Sequence, residues 1–133
     1  MSLQYSPKNN PRVIVIQKLY GKYFNKDETL TFPKHRFKKF IKDVVNGTLE
    51  RSELIKDKIN SHLEGDINLK KIDKLLKIIL FAAIFELMFK HGTPKKVIIN
   101  EYLIASEHFL EKIQIGYLNA ILDKISKELR KDD

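Results

Sequence analysis

Residues 93–109 read TPKKVIINEYLIASEHF. Taken alone, Val97-Ile98-Ile99 would pass for a buried strand. The flanks decide against it. Gly92 is suited to closing one helix, Thr93 to capping the next, and Pro94 to its first turn. A stop signal followed at once by a start signal is helix punctuation, not hairpin chemistry. Ile98, Tyr102, Ala105 and Phe109 then recur at helical spacing. The apolar triplet is therefore the entry of a helix, and the fold class that follows is all-α.

The same logic extends in both directions. Upstream, Asn10 is placed to cap a helix whose first position is Pro11. Val13, Ile16, Tyr20 and Phe24 keep its period to about Asn25, and KDETLTFP forms a linker. Pro33 is expected to open a second helix with a stripe of Phe37, Phe40, Ile41, Val44 and Val45, ended at Gly47 in a left-handed conformation. A third is expected from about Leu49 to Glu64, with Gly65 as its stop. A fourth should span roughly Leu69 to Lys90. Its polar residues change sides: Lys70, Asp73, Lys74 and Lys77 share one face, while Glu86 and Lys90 lie opposite. A helix threading between two bundles would have this pattern. Asp73–Lys77 and Glu86–Lys90 are acid-first pairs at ion-pair spacing. Downstream, a last helix covers about Ile115 to Arg130, with Leu118, Leu122, Ile125 and Leu129 inward and KDD as a frayed end.

Composition limits what such a domain does. The chain has 133 residues, enough for one domain with a real core, and 43% hydrophobic with 32% charged residues is the profile of a helix-rich globule. It has no cysteine, which excludes disulfides, thiolate catalysis and Cys-based zinc sites and suits the cytosol. The start, MSLQYSPKNN, has no apolar core of a secretory signal. The longest apolar run, IILFAAIFELMF at 78–89, contains Glu86 and is shorter than the roughly 20 residues of a membrane span. The formal charge of +8 favours an acidic partner, nucleic acid first among them. His35, His62, His91 and His108 have no partner at metal-ligand spacing, and no phosphate loop or nucleophile elbow is present. No catalysis, cofactor or small-molecule substrate is expected.

The ordered set of segments resembles the NusB family over about residues 10–128. The resemblance is carried by IQKLYGKY (Gln17, Leu19, Tyr20), ILFAAIFEL (Phe85, Glu86, Leu87), HGTPKKVIINEYL (Pro94, Lys96, Val97, Ile99, Asn100, Glu101) and GYLNAILDKI (Asn119, Leu122, Asp123, Lys124). It implies two small helical bundles sharing a long helix, here about 10–65 and 68–130 of a single domain with six to seven helices. It also implies a cytoplasmic transcription antitermination factor that binds boxA-type single-stranded RNA of nascent ribosomal RNA. Such factors act with the small-subunit ribosomal protein that doubles as NusE, and through it reach the elongating RNA polymerase. The chain departs from the family pattern in four places: the Arg-rich start is SPKNNPR, the usual Phe-Val-Asn-Gly is Tyr117-Leu118-Asn119-Ala120, a usual Arg is Phe81, and a usual Lys is Glu107.

Carried onto this chain, the resemblance assigns RNA contacts to Lys8, Arg12, Tyr117, Asn119 and Lys124, and partner contacts to Tyr20 and Glu86. Cations meet phosphates, and flat groups stack on unpaired bases. The plain alternative for Glu86 is a solvated pair with Lys90. Asn100 and Glu101 read as a structural tie, since a buried amide or carboxylate must find partners or cost about 1–3 kcal/mol. Two rival functions stand beside this one. The first is a NusB-like interaction module that keeps NusE docking with weak or no RNA binding, favoured by Glu107 and the thin Arg content. The second is the NusB-like half of an RNA cytosine methyltransferase, discounted because no catalytic domain follows Asp133.

Overall fold

The computed structural model describes residues 7–27 and 29–131. A 3₁₀ turn at Pro7–Asn9 leads into six α-helices: α1 (Pro11–Phe24), α2 (Lys38–Glu50), α3 (Ser52–His62), α4 (Lys74–Phe89), α5 (Lys95–Ser106) and α6 (Lys112–Leu129). There is no strand among the described residues. The segment 97–104 lies within α5, as its flanks predict. The frayed end expected at Asp132 and Asp133, and Glu28 of the first linker, lie outside the described residues.

α1 begins as its cap dictates. Asn10 is extended, and its side chain accepts from the N–H groups of Arg12 (3.0 Å) and Val13 (3.3 Å). Pro11 follows, with no N–H to leave orphaned. Asp73 does the same for α4, accepting from the N–H of Leu76 at 3.1 Å. The fourth helix thus starts at Lys74 rather than near Leu69. The expected Asp73–Lys77 ion pair gives way to this cap, because a carboxylate just before a helix satisfies an otherwise unpaired N–H. α6 starts at Lys112, earlier than its apolar period indicated. Glu111 and Gln114 form a reciprocal capping box, a pattern of acid and Gln three residues apart that is legible in the chain.

α4 packs against every other helix. That explains why Ile78, Ile79, Leu80, Ala82, Ala83, Ile84, Phe85 and Leu87 are all buried whichever way they face. α1, α2 and α3 form one group packed on it, α5 and α6 the other, and α1–α5 and α3–α6 contacts also join the groups directly. The two bundles therefore share the fourth helix. The change of wet face predicted along it is incorrect in its second half. Glu86 is fully buried, because the face opposite Lys77 is covered by α1 and α5.

Two expectations about the second helix also fail. It starts at Lys38, not Pro33. His35 holds the preceding turn: its Nδ1 accepts from the N–H of Phe37 at 3.0 Å, which leaves Nε2 to donate to the carbonyl of Lys8 at 3.0 Å. Gly47 does not end the helix. It lies inside α2, against the edge of the Phe85 ring. A Cβ there would overlap that ring, with even the more distant edge atom, Cε2, only 3.0 Å away. The glycine is a seat for an aromatic ring of α4. Gly65, by contrast, has φ of +86° just beyond α3, as a stop of that kind requires.

Candidate functional site

Arg12, in the first turn of α1, turns inward rather than toward solvent. Its Nε donates to Glu86 Oε2 at 3.0 Å and its Nη2 to Glu86 Oε1 at 2.7 Å. The side chain of Glu86 is 0% exposed and that of Arg12 10%. Glu101 Oε1 lies 3.8 Å from Arg12 Nη1, a weaker second charge. The guanidinium carbon sits 4.8 Å from the centre of the Phe40 ring and 5.5 Å from that of Tyr102. One cation thus joins α1, α2, α4 and α5. Burial alone would pull the Arg12 pKa down. The charge of Glu86 leads the opposing effects, followed by Tyr102, the hydrogen bonding to Glu86, and the charge of Glu101, and the net direction is upward. The Tyr102 hydroxyl is buried without a hydrogen-bond partner. Desolvation first, and the charge of Glu86 second, hold its pKa well above the ordinary value.

This geometry corrects two assignments. Arg12 is not presented to RNA, because its donors are engaged with a buried carboxylate. Glu86 is neither a solvated partner of Lys90 nor on a surface where another protein could touch it. Lys90 instead lies 3.6 Å from Asp43, which Lys39 also holds at 2.9 Å. The tie read at Asn100-Glu101 is divided: Glu101 is half-buried and faces Arg12, while Asn100 is exposed, so its amide has water available.

The remaining site residues are on the surface. Lys8 is exposed, its backbone tethered by His35. Tyr117, Asn119 and Lys124 are exposed on α6. Tyr117 donates its hydroxyl to the carbonyl of Asp66 at 2.9 Å, and Lys124 pairs with the carboxylate of the same residue. Two residues assigned to RNA therefore meet at one point on the loop between α3 and α4. Nothing in the sequence marked Asp66, since its partners are 51 and 58 residues away. Tyr20 is 39% exposed near the end of α1, with its ring 4.7 Å from that of Phe24. With Tyr23 and Phe24 also exposed, this end of α1 is an aromatic surface.

The sequence pattern described as the NusB family matches residues 9–127, nearly the whole of this fold. The chain belongs to the NusB family. It is 32% identical over 125 residues to the transcription antitermination protein NusB of Rickettsia felis, covering 88% of this chain and 78% of that protein. It is 31% identical over 94 residues to the protein of the same name from Rhodopseudomonas palustris, covering 71% of this chain and 56% of the relative. A match to the Nitrobacter hamburgensis protein likewise spans little more than half of that relative, 57%, at 33% identity. Among solved structures, T. maritima NusB superposes with a TM-score of 0.77 over 94% of each chain at 25% identity.

Phe81, Glu107 and Ala120, which the sequence resemblance set apart, have defined places in the fold. Phe81 is half-buried beside Leu19, Tyr23 and Ile78 in a groove of about 330 Å³, with the Lys77 ammonium 5.7 Å from its ring centre. An aromatic ring fits that apolar wall, where a guanidinium would have to be desolvated. Glu107 is exposed at the end of α5, and Ala120 is exposed on α6. No helix among the described residues is long and apolar enough to cross a membrane.

Proposed function

We propose that this chain is a cytoplasmic transcription antitermination factor that binds boxA-type single-stranded RNA jointly with the ribosomal protein NusE. Its work is adaptor binding. It carries out no chemical step and needs no cofactor, and the joint surface brings the pair to an elongating polymerase. The observation that carries this reading is the family match over residues 9–127. Supporting it is the convergence of Tyr117 and Lys124 on Asp66, which puts a flat ring and a cation within one nucleotide's reach. Asn119, exposed elsewhere on α6, and Lys8, exposed beside His35, are the remaining RNA contacts of this reading. Tyr20, in the aromatic end of α1, is the partner contact. Arg12 and Glu86 act indirectly, by holding α1 against α4. The test is a gel-shift series with boxA RNA and a scrambled control, with and without NusE, at two salt concentrations. Selective, salt-sensitive binding that needs NusE is expected. Equal retention of both RNAs would overturn the reading.

Two observations favour the second reading, an interaction module without RNA affinity. Arg12 is internal, and Lys124 already has a carboxylate partner. If co-purification yields NusE while boxA RNA and its scramble are bound equally weakly, that module is the better description.

A further inference from the structure

A second basic feature lies beside Asp66, where no sequence motif points. After Gly65 the chain runs without helix to the cap at Asp73. This loop, with facing parts of α3 and α4, encloses an open cleft of about 740 Å³. Its walls carry Lys56 from α3, Lys70 from the loop and Lys77 from α4, together with the amide of Asn60. Asp66 is the one acid among the residues that line it, and that carboxylate is already paired with Lys124. Lysines from three elements around one concave space, of which Lys77 also reaches over the Phe81 ring, focus a positive potential into it.

We propose that this cleft binds the phosphates of the same single-stranded RNA, continuing its path beyond Tyr117 and Lys124. The inference rests on the RNA-binding reading above. Continuity is the reason to choose RNA over an acidic protein: Asp66 both lines the cleft and touches Tyr117 and Lys124, so the two basic surfaces share an edge. A chain of phosphates crossing that edge would meet Lys124, then Lys70 and Lys56, with the Asn60 amide available to a sugar hydroxyl or base edge. Lysine suits this use, as a point charge that follows a flexible backbone. The cleft thus supplies cations in a molecule whose Arg12 is internal.

The experiment compares the parent with a Lys56→Gln/Lys70→Gln variant and with a Lys38→Gln/Lys42→Gln control of equal charge on α2. Anisotropy of a labelled boxA RNA is followed in the presence of NusE. Each phosphate contact contributes about −0.7 to the salt slope, so losing two of them should flatten it by about 1.4. Between about 50 and about 200 mM salt the parent then loses roughly sevenfold more affinity than the cleft variant. The control should keep the parent slope, and all three proteins should bind NusE alike. Acetylation of Lys56 and Lys70 should be blocked by bound RNA. A parent slope in the cleft variant, an equal change in the control, or undiminished acetylation would overturn the inference alone. Loss of NusE binding in the cleft variant would mark the cleft as a protein site and also overturn it. A parent that binds no RNA would bring down the function reading and this inference together.

Discussion

Replacing Arg12 by Met tests whether the ion pair in the middle of the molecule is structural. The Glu86 side chain is 0% exposed and receives two hydrogen bonds from Arg12, at 3.0 and 2.7 Å. Removing the cation leaves a carboxylate with no water, and the nearby Tyr102 hydroxyl is a poor substitute. Breaking a buried pair in this way costs about 3–5 kcal/mol. A domain of this size has about 5–15 kcal/mol in all. At roughly 3–5 °C per kcal/mol for a chain of intermediate length, the thermal midpoint should fall by roughly 9–25 °C. Glu86→Leu should lose a similar amount by stranding the guanidinium. The double variant Arg12→Met/Glu86→Leu should recover most of the loss, because apolar replacements of a buried pair are often neutral. Urea unfolding of all four proteins gives the coupling energy, provided the slope with denaturant is unchanged. Additive losses, or an Arg12→Met variant within about 1 kcal/mol of the parent, would refute the reasoning. An Arg12→Met protein that melts normally yet loses RNA would return Arg12 to the RNA face.

Three further outcomes are expected. Gly47→Ala gains about 1 kcal/mol of helix propensity but forces its methyl group into the Phe85 ring, so overpacking of about 1–3 kcal/mol should leave it less stable; adding Phe85→Leu should restore stability in the same urea assay, and a plain Gly47→Ala gain would contradict the ring-seat geometry. Tyr102 has its folded pKa raised by burial, so above about pH 10 the unfolded chain loses that proton while the folded one keeps it. Stability from this group is complete below about pH 10 and declines as pH rises further; Tyr102→Phe should remove that alkaline decline and melt no lower than the parent at neutral pH, because the hydroxyl it deletes has no partner. Asp66→Asn should free Lys124 for phosphate and raise RNA affinity in the anisotropy assay, while changing stability by less than about 1 kcal/mol because the pair is solvent-exposed; unchanged or weaker RNA binding would argue against Lys124 as a contact.

What the chain determined by itself was its helices and its kinship. The punctuation at Gly92, Thr93 and Pro94 placed α5, although Pro94 rather than Thr93 stands at the cap position. Asn10 capped α1 as its position before Pro11 required. These signals work because capping and periodicity act over a single turn, so the residues responsible are neighbours in sequence. The failures came where a residue's role depended on a partner far along the chain. Arg12 and Glu86 are 74 positions apart, and Lys124 and Asp66 are 58. Gly47 looked like a stop until Phe85 of another helix was seated on it. Which face of a helix is dry depends on how the helices cross, not on the helix itself. Only the packed structure could therefore turn an expected RNA-binding arginine inward, bury the expected partner-binding glutamate, and bring Tyr117, Lys124 and the Lys56–Lys70 cleft together at Asp66.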